Sequence, residues 1–441
     1  MSLFVPVLAP LIAAVLSSIV PQAARRISRA LTAAAAMAMT LAALPQLDRL
    51  SAIFAAVVSL IAFAATLFSG SLFPEAVHDG SPWQRRPVYF MLLGAFWSSM
   101  LYTLCSTTFI GLWAGISATT LTTTFLVGYS GGKAALEAAW KYLLLCSVGV
   151  GIALVGMLLL GRAGMQAGIA PADALSWAAL THRNVVLSGD VAPVALVLML
   201  IGFGTKAGLV PMHAWLPDAH SKAPSPISAL LSGLLVSSAL YAIMRVQGVA
   251  SYAGVEAFDH ALLVLGAASM LVASVLMLAQ RDVKRLLSYS TVEQSGLVAL
   301  ALGIGTPFAL FAALYHTINH AFTKSTAFFA IGLVQHQRGT TAIASLQGLW
   351  NDRSGKLLLA ALAGLAGFPP FGLFVSELLI VIAAVAAHQW AALACALLAL
   401  TLGFAALARL AIETECGVPT SMPRVRAPRV ALAGAAATAC I

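Results

Sequence analysis

The sequence contains very little charge for its length. Only 9% of its 441 residues are charged, whereas 61% are hydrophobic. A soluble domain of this size needs far more charge to cover its surface, so the composition excludes an ordinary soluble protein. The apolar residues come in runs of roughly 18–25, the length that a helix needs to cross a hydrocarbon core. We therefore predict an all-α integral membrane protein that lies in the lipid bilayer.

The sequence also lacks the motifs that hold cofactors. Its cysteines have none of the short spacings of iron–sulfur clusters, zinc sites or disulfide frameworks. They are Cys105, Cys146, Cys395, Cys416 and Cys440. There is no Gly-rich phosphate loop and no dinucleotide-binding motif. We expect no catalytic residue, no cofactor and no metal, so the energy source is expected to be a partner or an ion gradient.

The net charge of +9 does not indicate a nucleic-acid partner. The basic residues lie in short connections between apolar runs and form no patch with interleaved aromatic residues. Connections after odd-numbered runs hold sixteen Lys and Arg residues, whereas those after even-numbered runs hold four. Positive residues favour the cytoplasmic side. We therefore predict a multi-pass protein of the cell inner membrane with both termini outside the cytoplasm.

The apolar runs predict about fourteen transmembrane helices. They lie near residues 3–20, 29–46, 51–70, 87–104, 106–127, 138–161, 191–214, 225–246, 258–280, 285–304, 307–335, 357–382, 386–411 and 427–441.

Two of these spans are interrupted by Gly and Pro. The seventh contains GFGTKAGLVP (202–211), and the twelfth contains GFPPFG (367–372). Irregular backbone at membrane depth is tolerated only where it lines a cavity or is buried in protein. The interruptions are five spans apart, an odd number, which inverts the second unit relative to the first. The alternative is that they are incidental kinks.

The paired interruptions predict a division of the chain into four parts. These are N-terminal transmembrane helices (1–86), a first five-helix repeat (87–246), a second, inverted repeat (247–411), and a C-terminal tail or short last helix (412–441).

Ionisable residues lie beside both interruptions and between them. Lys206 belongs to the first unit and Glu377 to the second, and the eleventh span contains His316, His320 and Lys324. A spacing of four residues keeps these last three on one helix face over about 12 Å. Buried His and Lys can take up and release protons, and such chains mark proton relays in membrane pumps. The pattern predicts a proton or cation pathway, and histidines that only pack are the alternative.

Other charged residues give weaker signals. Lys141 lies near the start of the sixth span, where its side chain could also extend to the membrane interface. Glu293 is interior by position but has no evident partner in the sequence. The His316/His320 pair has the spacing of two metal ligands, but no carboxylate lies nearby on the same helix, so we expect no metal there.

Four segments of the sequence carry a resemblance to a known superfamily. They read GFGTKAGLVPMHAWLPDAH (202–220), PSPISALLSG (224–233), DVKRLLSYSTVE (282–293) and HTINHAFTK (316–324). They are similar to antiporter-like subunits of respiratory complex I, Mrp cation/proton antiporters and membrane-bound NiFe hydrogenases. The resemblance covers roughly residues 90–410. Within the superfamily, LEAAWKY (136–142) and PPFGLFVSE (369–377) most resemble hydrogenase 4 component F.

The resemblance implies a fold with inverted repeats and a central polar axis. It implies Lys206, Lys324 and Glu377 as axis residues, His316 and His320 as the link between them, and Lys141 as a further pathway residue. As partners it implies other membrane and peripheral subunits of a multi-subunit redox complex.

The chain departs from this superfamily in the fifth span. Members commonly have a Glu there that pairs with the Lys of the seventh span, but this segment reads LWAGISATT (112–120), with Ser117 at the expected position. Some complex I subunits also have a His where Ser232 stands. Without the Glu, the ammonium of Lys206 lacks a stabilising anion, so the path through the first half is expected to be altered or inactive. Glu137 is the nearest substitute by sequence. Further auxiliary candidates are Glu293, Asp282, Lys284 and Ser117.

The sequence thus favours a proton- or cation-translocating membrane subunit of a hydrogenase- or NADH dehydrogenase-like complex, with no redox site of its own. One alternative is a chiefly structural membrane anchor, which Ser117 favours. Another is the membrane subunit of a bicarbonate-uptake system built on the same fold.

Overall fold

The computed structural model describes residues 3–21, 24–72, 86–182, 185–187 and 191–416. Over these residues the regular structure is helical, which confirms the all-α class, and extended pairing is limited to two isolated bridges. The helices are α1 (Phe4–Ile19), α2 (Arg25–Ala43), α3 (Arg49–Leu72), α4 (Arg86–Cys105), α5 (Phe109–Val127), α6 (Gly132–Gln166), α7 (Trp177–Leu180), α8 (Val191–Ala207), α9 (Trp215–Lys222), α10 (Ser225–Leu230), α11 (Val236–Tyr252), α12 (Glu256–Leu278), α13 (Val283–Gly303), α14 (Pro307–Arg338), α15 (Arg353–Leu365), α16 (Gly372–Ala386) and α17 (Trp390–Glu415).

Eight helices of the described part are long and apolar enough to cross a membrane. The helices α1, α8 and α16 are shorter apolar segments. The predicted last span, 427–441, lies outside the described residues. The total of about fourteen spans therefore stays a prediction.

In both interrupted spans, the helix before the break ends in the same way. After α8, Gly208 adopts φ 76°, its N–H donates to Thr205 O, and the N–H of Leu209 donates to Gly204 O. After α15, Gly367 adopts φ 65°, its N–H donates to Gly364 O, and the next N–H closes the equivalent bond. Both are Schellman caps, which need a left-handed residue that glycine adopts without strain. The breaks lie where Gly and Pro predicted them.

The helices α13 and α14 lie at the centre of the protein, although neither is among the eight apolar spans. Almost every residue of α13 is buried, including a run of Ser, Thr, Glu and Gln side chains. The inner part of α14 is buried in the same way. Polar side chains in a membrane protein are stabilised by protein neighbours and not by lipid. Among the described residues, these two helices carry six of the ten buried Lys, Arg, His and Glu side chains, namely Lys284, Glu293, His316, His320, Lys324 and Arg338.

Small residues let the surrounding helices approach closely. A Cβ at Gly202 of α8 would overlap Ala153 of α6, and a Cβ at Gly149 would overlap Thr205. Gly266 and Gly296 make a similar backbone contact between α12 and α13. Such contacts are the usual means of packing helices in a membrane, where no hydrophobic effect drives the helices together.

Charged residues close the ends of the central helices. Asp282 caps α13, since its carboxylate accepts hydrogen bonds from the N–H of Arg285 at 2.9 Å and from the hydroxyl of Thr341 at 2.5 Å. The guanidinium of Arg409 donates to the carbonyls of Leu278 and Gln280 at the end of α12. Both arrangements complete backbone hydrogen bonds that a helix end leaves open.

Candidate functional site

Lys206 lies in the last turn of α8, directly before the helix break, and is almost fully buried. Its ammonium donates to the hydroxyls of Thr120 at 2.8 Å and Tyr142 at 2.6 Å. It also lies 4.6 Å from the centre of the Tyr142 ring. Thr123 contacts the same Tyr142 hydroxyl at 2.6 Å. We call Thr120, Thr123 and Tyr142 the hydroxyl cage, which surrounds the ammonium with neutral oxygens.

Lys206 receives no negative charge from Ser117, which stands where the superfamily commonly has a Glu. It also receives none from Glu137, the nearest substitute by sequence. Ser117 lies one turn before Thr120, and its half-buried side chain has a hydroxyl with no hydrogen-bond partner among the described residues. Glu137 is 65% exposed and pairs with Lys141 at 2.7 Å. Among the described residues, no carboxylate lies within 4.0 Å of the Lys206 ammonium.

Lys141 lies outside the buried set, in a charged cluster on the surface. Its side chain is 49% exposed, and its ammonium lies 2.7 Å from Glu137 and 3.3 Å from Asp218. Arg285 approaches the other oxygen of Asp218 at 3.8 Å. The cluster links the N-terminal part of α6 and the first turn of α13 to α9, which follows the break after α8.

Aromatic rings connect Lys206 to the second half of the chain. Tyr142 lies 4.9 Å from Trp215, which lies 6.3 Å from His220, and His220 lies 5.6 Å from Phe328. His220 is fully buried, and neither of its ring nitrogens has a partner within the described structure. Sequence reasoning did not select His220 as a candidate. The sequence signal that could have identified His220 is its position in the 202–220 segment, which carries the resemblance to the superfamily.

Two further lysines are fully buried. Lys284 belongs to α13, and Lys324 of α14 contacts α13. The Lys284 ammonium donates to Ala223 O at 2.5 Å, at the C-terminal end of α9. The Lys324 ammonium donates to Leu287 O at 3.0 Å and to the hydroxyl of Ser290. Like Lys206, both have neutral oxygens as hydrogen-bond acceptors.

His316, His320 and Lys324 lie on one face of α14, and all three are buried. The two imidazole rings lie 6.4 Å apart and are nearly parallel, at 14°. Nδ1 of His316 lies 2.9 Å from the hydroxyl of Ser376 on α16. The stripe thus extends from α13 to the helix that follows the second break.

Glu293 and Glu377 lie beyond this stripe. Glu293 is buried in the middle of α13, with one carboxylate oxygen lacking a hydrogen-bond partner. Glu377 is half-buried near the start of α16, with its carboxylate against Gly367 of the second break. Asp282 lies apart from them, at the cap of α13 described above.

Ser232 occupies a short π-helical turn, Leu231–Leu235, between α10 and α11. Its hydroxyl lies 2.7 Å from that of Thr291 on α13. Gly233 in the same turn packs directly on α14, since a Cβ there would overlap Ser325. π-Helical turns are often found at functional sites. Here the turn brings a pair of hydroxyls to the position where the resemblance implies a His in some complex I subunits.

In the described part of the chain, no three His, Cys, Asp or Glu side chains converge in a way that could hold a metal ion. The candidate residues are therefore ionisable side chains and hydroxyls. Such groups can pass protons or bind a monovalent cation.

Comparison with known proteins gives matches over most of the chain. Residues 106–403 match the family described as "NADH:quinone oxidoreductase/Mrp antiporter, TM". A hydrogenase-4 component F homolog from Methylacidiphilum infernorum is 37% identical over 84% of this chain and 79% of its own. NADH-quinone oxidoreductase subunit N from Desulforudis audaxviator is 29% identical over 78% of this chain and 67% of its own.

The fold is also similar to that of a solved structure. A chain of the Mrp complex from Dietzia sp. superposes with a TM-score of 0.84, covering 100% of this chain and 93% of that one. At 21% sequence identity, this likeness concerns the fold alone.

Proposed function

The chain belongs to the NADH:quinone oxidoreductase/Mrp antiporter transmembrane family, and from this premise we propose that it translocates protons or another cation within a redox complex. It is an integral membrane protein, and its homologues are antiporter-like subunits of hydrogenase, NADH-quinone oxidoreductase and Mrp complexes. The observation that carries the proposal is the set of buried lysines and histidines along α8, α13 and α14.

The hydrogen bonds of these lysines suit proton transfer. A Lys at the bilayer centre costs about 2.5–3.5 kcal/mol on insertion scales, and a salt bridge would hold its proton in place. Lys206, Lys284 and Lys324 instead donate to hydroxyls and carbonyls. These oxygens remain neutral when the lysine loses its proton, so none of its hydrogen-bond acceptors becomes an uncompensated buried anion. Each lysine can therefore change its protonation state at modest cost.

We further propose that two inverted five-helix repeats build this pathway. The first repeat is assigned to 87–246 and the second to 247–411, after the N-terminal helices of 1–86 and before a tail or last helix in 412–441. The equivalent caps after α8 and α15 support this assignment. Each break lies next to an ionisable residue, Lys206 in the first repeat and Glu377 in the second.

The axis would run through Lys206, Lys324 and Glu377, with His316 and His320 as the link. Its assembly partners would be other membrane and peripheral subunits of a multi-subunit redox complex, in an inner membrane with both termini outside the cytoplasm. The names of the relatives support such partners, since they describe a component of hydrogenase 4 and a subunit of NADH-quinone oxidoreductase.

A chiefly structural role is the second candidate function. One observation favours it, namely the lack of a described carboxylate near Lys206. In that case the complex would need this chain in order to assemble, but ion transport by the complex would not depend on the buried lysines of this chain.

The substitution Lys324→Ala tests the proposal. Because Lys324 joins the His stripe to α13, its loss should abolish coupled proton uptake by the assembled complex in proteoliposomes while leaving assembly intact. Lys133→Ala is the matched control, since Lys133 is an exposed lysine at the start of α6 outside the predicted pathway, and it should retain most of the transport. If a normally assembled Lys324→Ala complex pumps at the wild-type rate, the pathway assignment fails and the structural role stands.

A further inference from the structure

Two carboxylates from different helices lie beside a buried amide. Glu293 of α13 and Glu377 of α16 lie close enough for their charges to interact, and Gln294 follows Glu293 on α13. Glu293 and Gln294 are each only 2% exposed. The two acids and the amide thus share one buried region.

Glycines provide the space for both carboxylates. A Cβ added to Gly403 of α17 would overlap the carboxylate of Glu293, and one added to Gly367 would overlap that of Glu377. Gly367 belongs to the second helix break, whereas Gly403 lies within a regular helix. The two acidic groups therefore occupy a pocket formed by α13, α16, α17 and the break before α16.

The oxygens in this pocket lack hydrogen-bond donors. Oε1 of Glu293 and Oε1 of Gln294 are both buried, and neither has a partner in the described structure. Buried acceptors of this kind need an explanation, because an unsatisfied buried oxygen typically costs about 1–3 kcal/mol. A bound cation or a shared proton would satisfy them.

The charges around the pocket set the number of cations. Lys324 of α14 is the charged group that acts on Glu293 besides Glu377. Two carboxylates and one ammonium leave one negative charge in a buried place, and a buried net charge is strongly disfavoured. One monovalent cation would make the group neutral.

We propose that Glu293, Gln294 and Glu377 form a binding site for one monovalent cation, a proton or Na⁺. Carboxylate and amide oxygens are the ligands that hard cations prefer, and two close carboxylates readily share a single proton. This deepens the proposed function by naming a site where the transported ion rests.

Occupancy of the site can be measured without transport, on the full chain purified from membranes. Binding of radioactive Na⁺ and the infrared carbonyl stretch of a protonated carboxyl would be recorded for the wild type, Glu293→Gln, Glu377→Gln and Gly403→Ala. Gly403→Ala displaces the Glu293 carboxylate by its methyl group alone. Gly151→Ala is the matched control, because a Cβ there meets nothing within 4 Å.

We expect one equivalent of cation per chain in the wild type and in Gly151→Ala, and at least about a tenfold weaker affinity in the other three variants. If the cation is Na⁺, labelled Na⁺ is retained and acid displaces it. If it is a proton, no Na⁺ is retained, and each Gln variant removes the same carbonyl band at neutral pH. The site is ruled out if the wild type shows neither signal, or if one Gln substitution leaves the other carboxyl's band unchanged. Because occupancy is measured apart from transport, this site can fail while Lys324→Ala still abolishes pumping.

Discussion

The two halves of the chain surround their buried lysines differently. In the first half, Lys206 lies in the hydroxyl cage, with no described carboxylate within 4.0 Å. In the second, Lys324 also donates to neutral oxygens, but it lies close enough to Glu293 to interact with it. Glu293 in turn acts on Glu377 across α13 and α16. The first half thus has a cation among dipoles, whereas the second has a cation followed by two acids.

This difference bears on which half can conduct. A proton leaving Lys206 finds hydroxyls, which can relay it but do not hold it as a stable charge. A proton leaving Lys324 has carboxylates within the same polar region, and a carboxylate can accept it in full. We therefore expect the second half to carry most of the transport. The substitutions at Glu377, Lys206 and Ser117 test that expectation.

The largest effect is expected for Glu377→Gln in the second half. The change removes the ionisable group but keeps the volume, so it separates protonation from packing. Transport by the assembled complex should fall at least about tenfold, because loss of a proton acceptor typically removes one or more orders of magnitude. Proton uptake in proteoliposomes measures it.

Glu413→Gln is the matched control for this substitution. Glu413 is half exposed and pairs with Arg409 at 3.7 Å, so its loss should leave the rate almost unchanged. If Glu377→Gln has full activity while Glu377→Ala does not, Glu377 has a packing role.

A smaller effect is expected for Lys206→Met in the first half. Methionine fills much of the same space without a charge, and the hydroxyl cage loses only a hydrogen-bond donor. Transport should fall by less than about threefold, roughly the rate change that 0.65 kcal/mol of barrier produces. Measured alongside Lys324→Ala, an equally deep loss for Lys206→Met would show that both halves conduct.

Ser117→Glu should make transport through the first half more like transport through the second, because it adds an acid near the buried lysine. The new carboxylate would lie one turn from Thr120, near the Lys206 ammonium, and Coulomb attraction in a buried setting is strong. Transport should increase modestly, by about twofold, or its pH optimum should shift upwards. The rate against pH is the measurement, and Ser117→Gln is the control that adds bulk without charge. Identical profiles for the two variants would contradict the expectation.

The smallest effect is expected for Asp48→Asn, which removes an ion pair between the N-terminal helices and the first half. Asp48, in the turn before α3, lies 2.5 Å from Arg245 of α11. Burial raises the pKa of the Asp48 carboxyl, but hydrogen bonds from Arg245 and Ser51 outweigh this and lower the pKa below its usual 3.8. The stability from this contact is therefore present at neutral pH and is lost as the pH falls below about 4.

Asp48→Asn should lower the thermal unfolding temperature by only a few degrees at neutral pH, because exposed ion pairs contribute about 0–1 kcal/mol. The difference from the wild type should vanish in acid. Transport should be unaffected, since Asp48 is remote in sequence from both sets of lysines. A thermal shift assay at both pH values measures it, and a difference that persists in acid would contradict the assignment.

Several features followed directly from residue types and spacing. Gly208 and Gly367 adopt the left-handed conformation where the predicted interruptions lie, because glycine is the residue that does so without strain. The four-residue spacing of His316, His320 and Lys324 placed them on one face of α14, since helix geometry alone determines that relation.

Other features of the site could not be read from spacing. The pairing of Lys141 with Asp218 on α9 was not evident, because 77 positions separate the two residues, and the pathway role of Lys141 stays a prediction. His220 was not selected, because its burial between Trp215 and Phe328 depends on how α9 packs against α14. The meeting of Glu293 with Glu377 was likewise hidden, since 84 residues of chain separate them.

The sequence by itself thus determined the helices, their interruptions and which residues share a helix face. These are local properties, set by backbone conformation and by the apolar length that a membrane requires. The tertiary structure alone decided which buried lysine has acids nearby and which has only hydroxyls. That choice depends on which faces of α5, α13 and α16 turn inward, and small-residue contacts between helices far apart in the chain set those orientations.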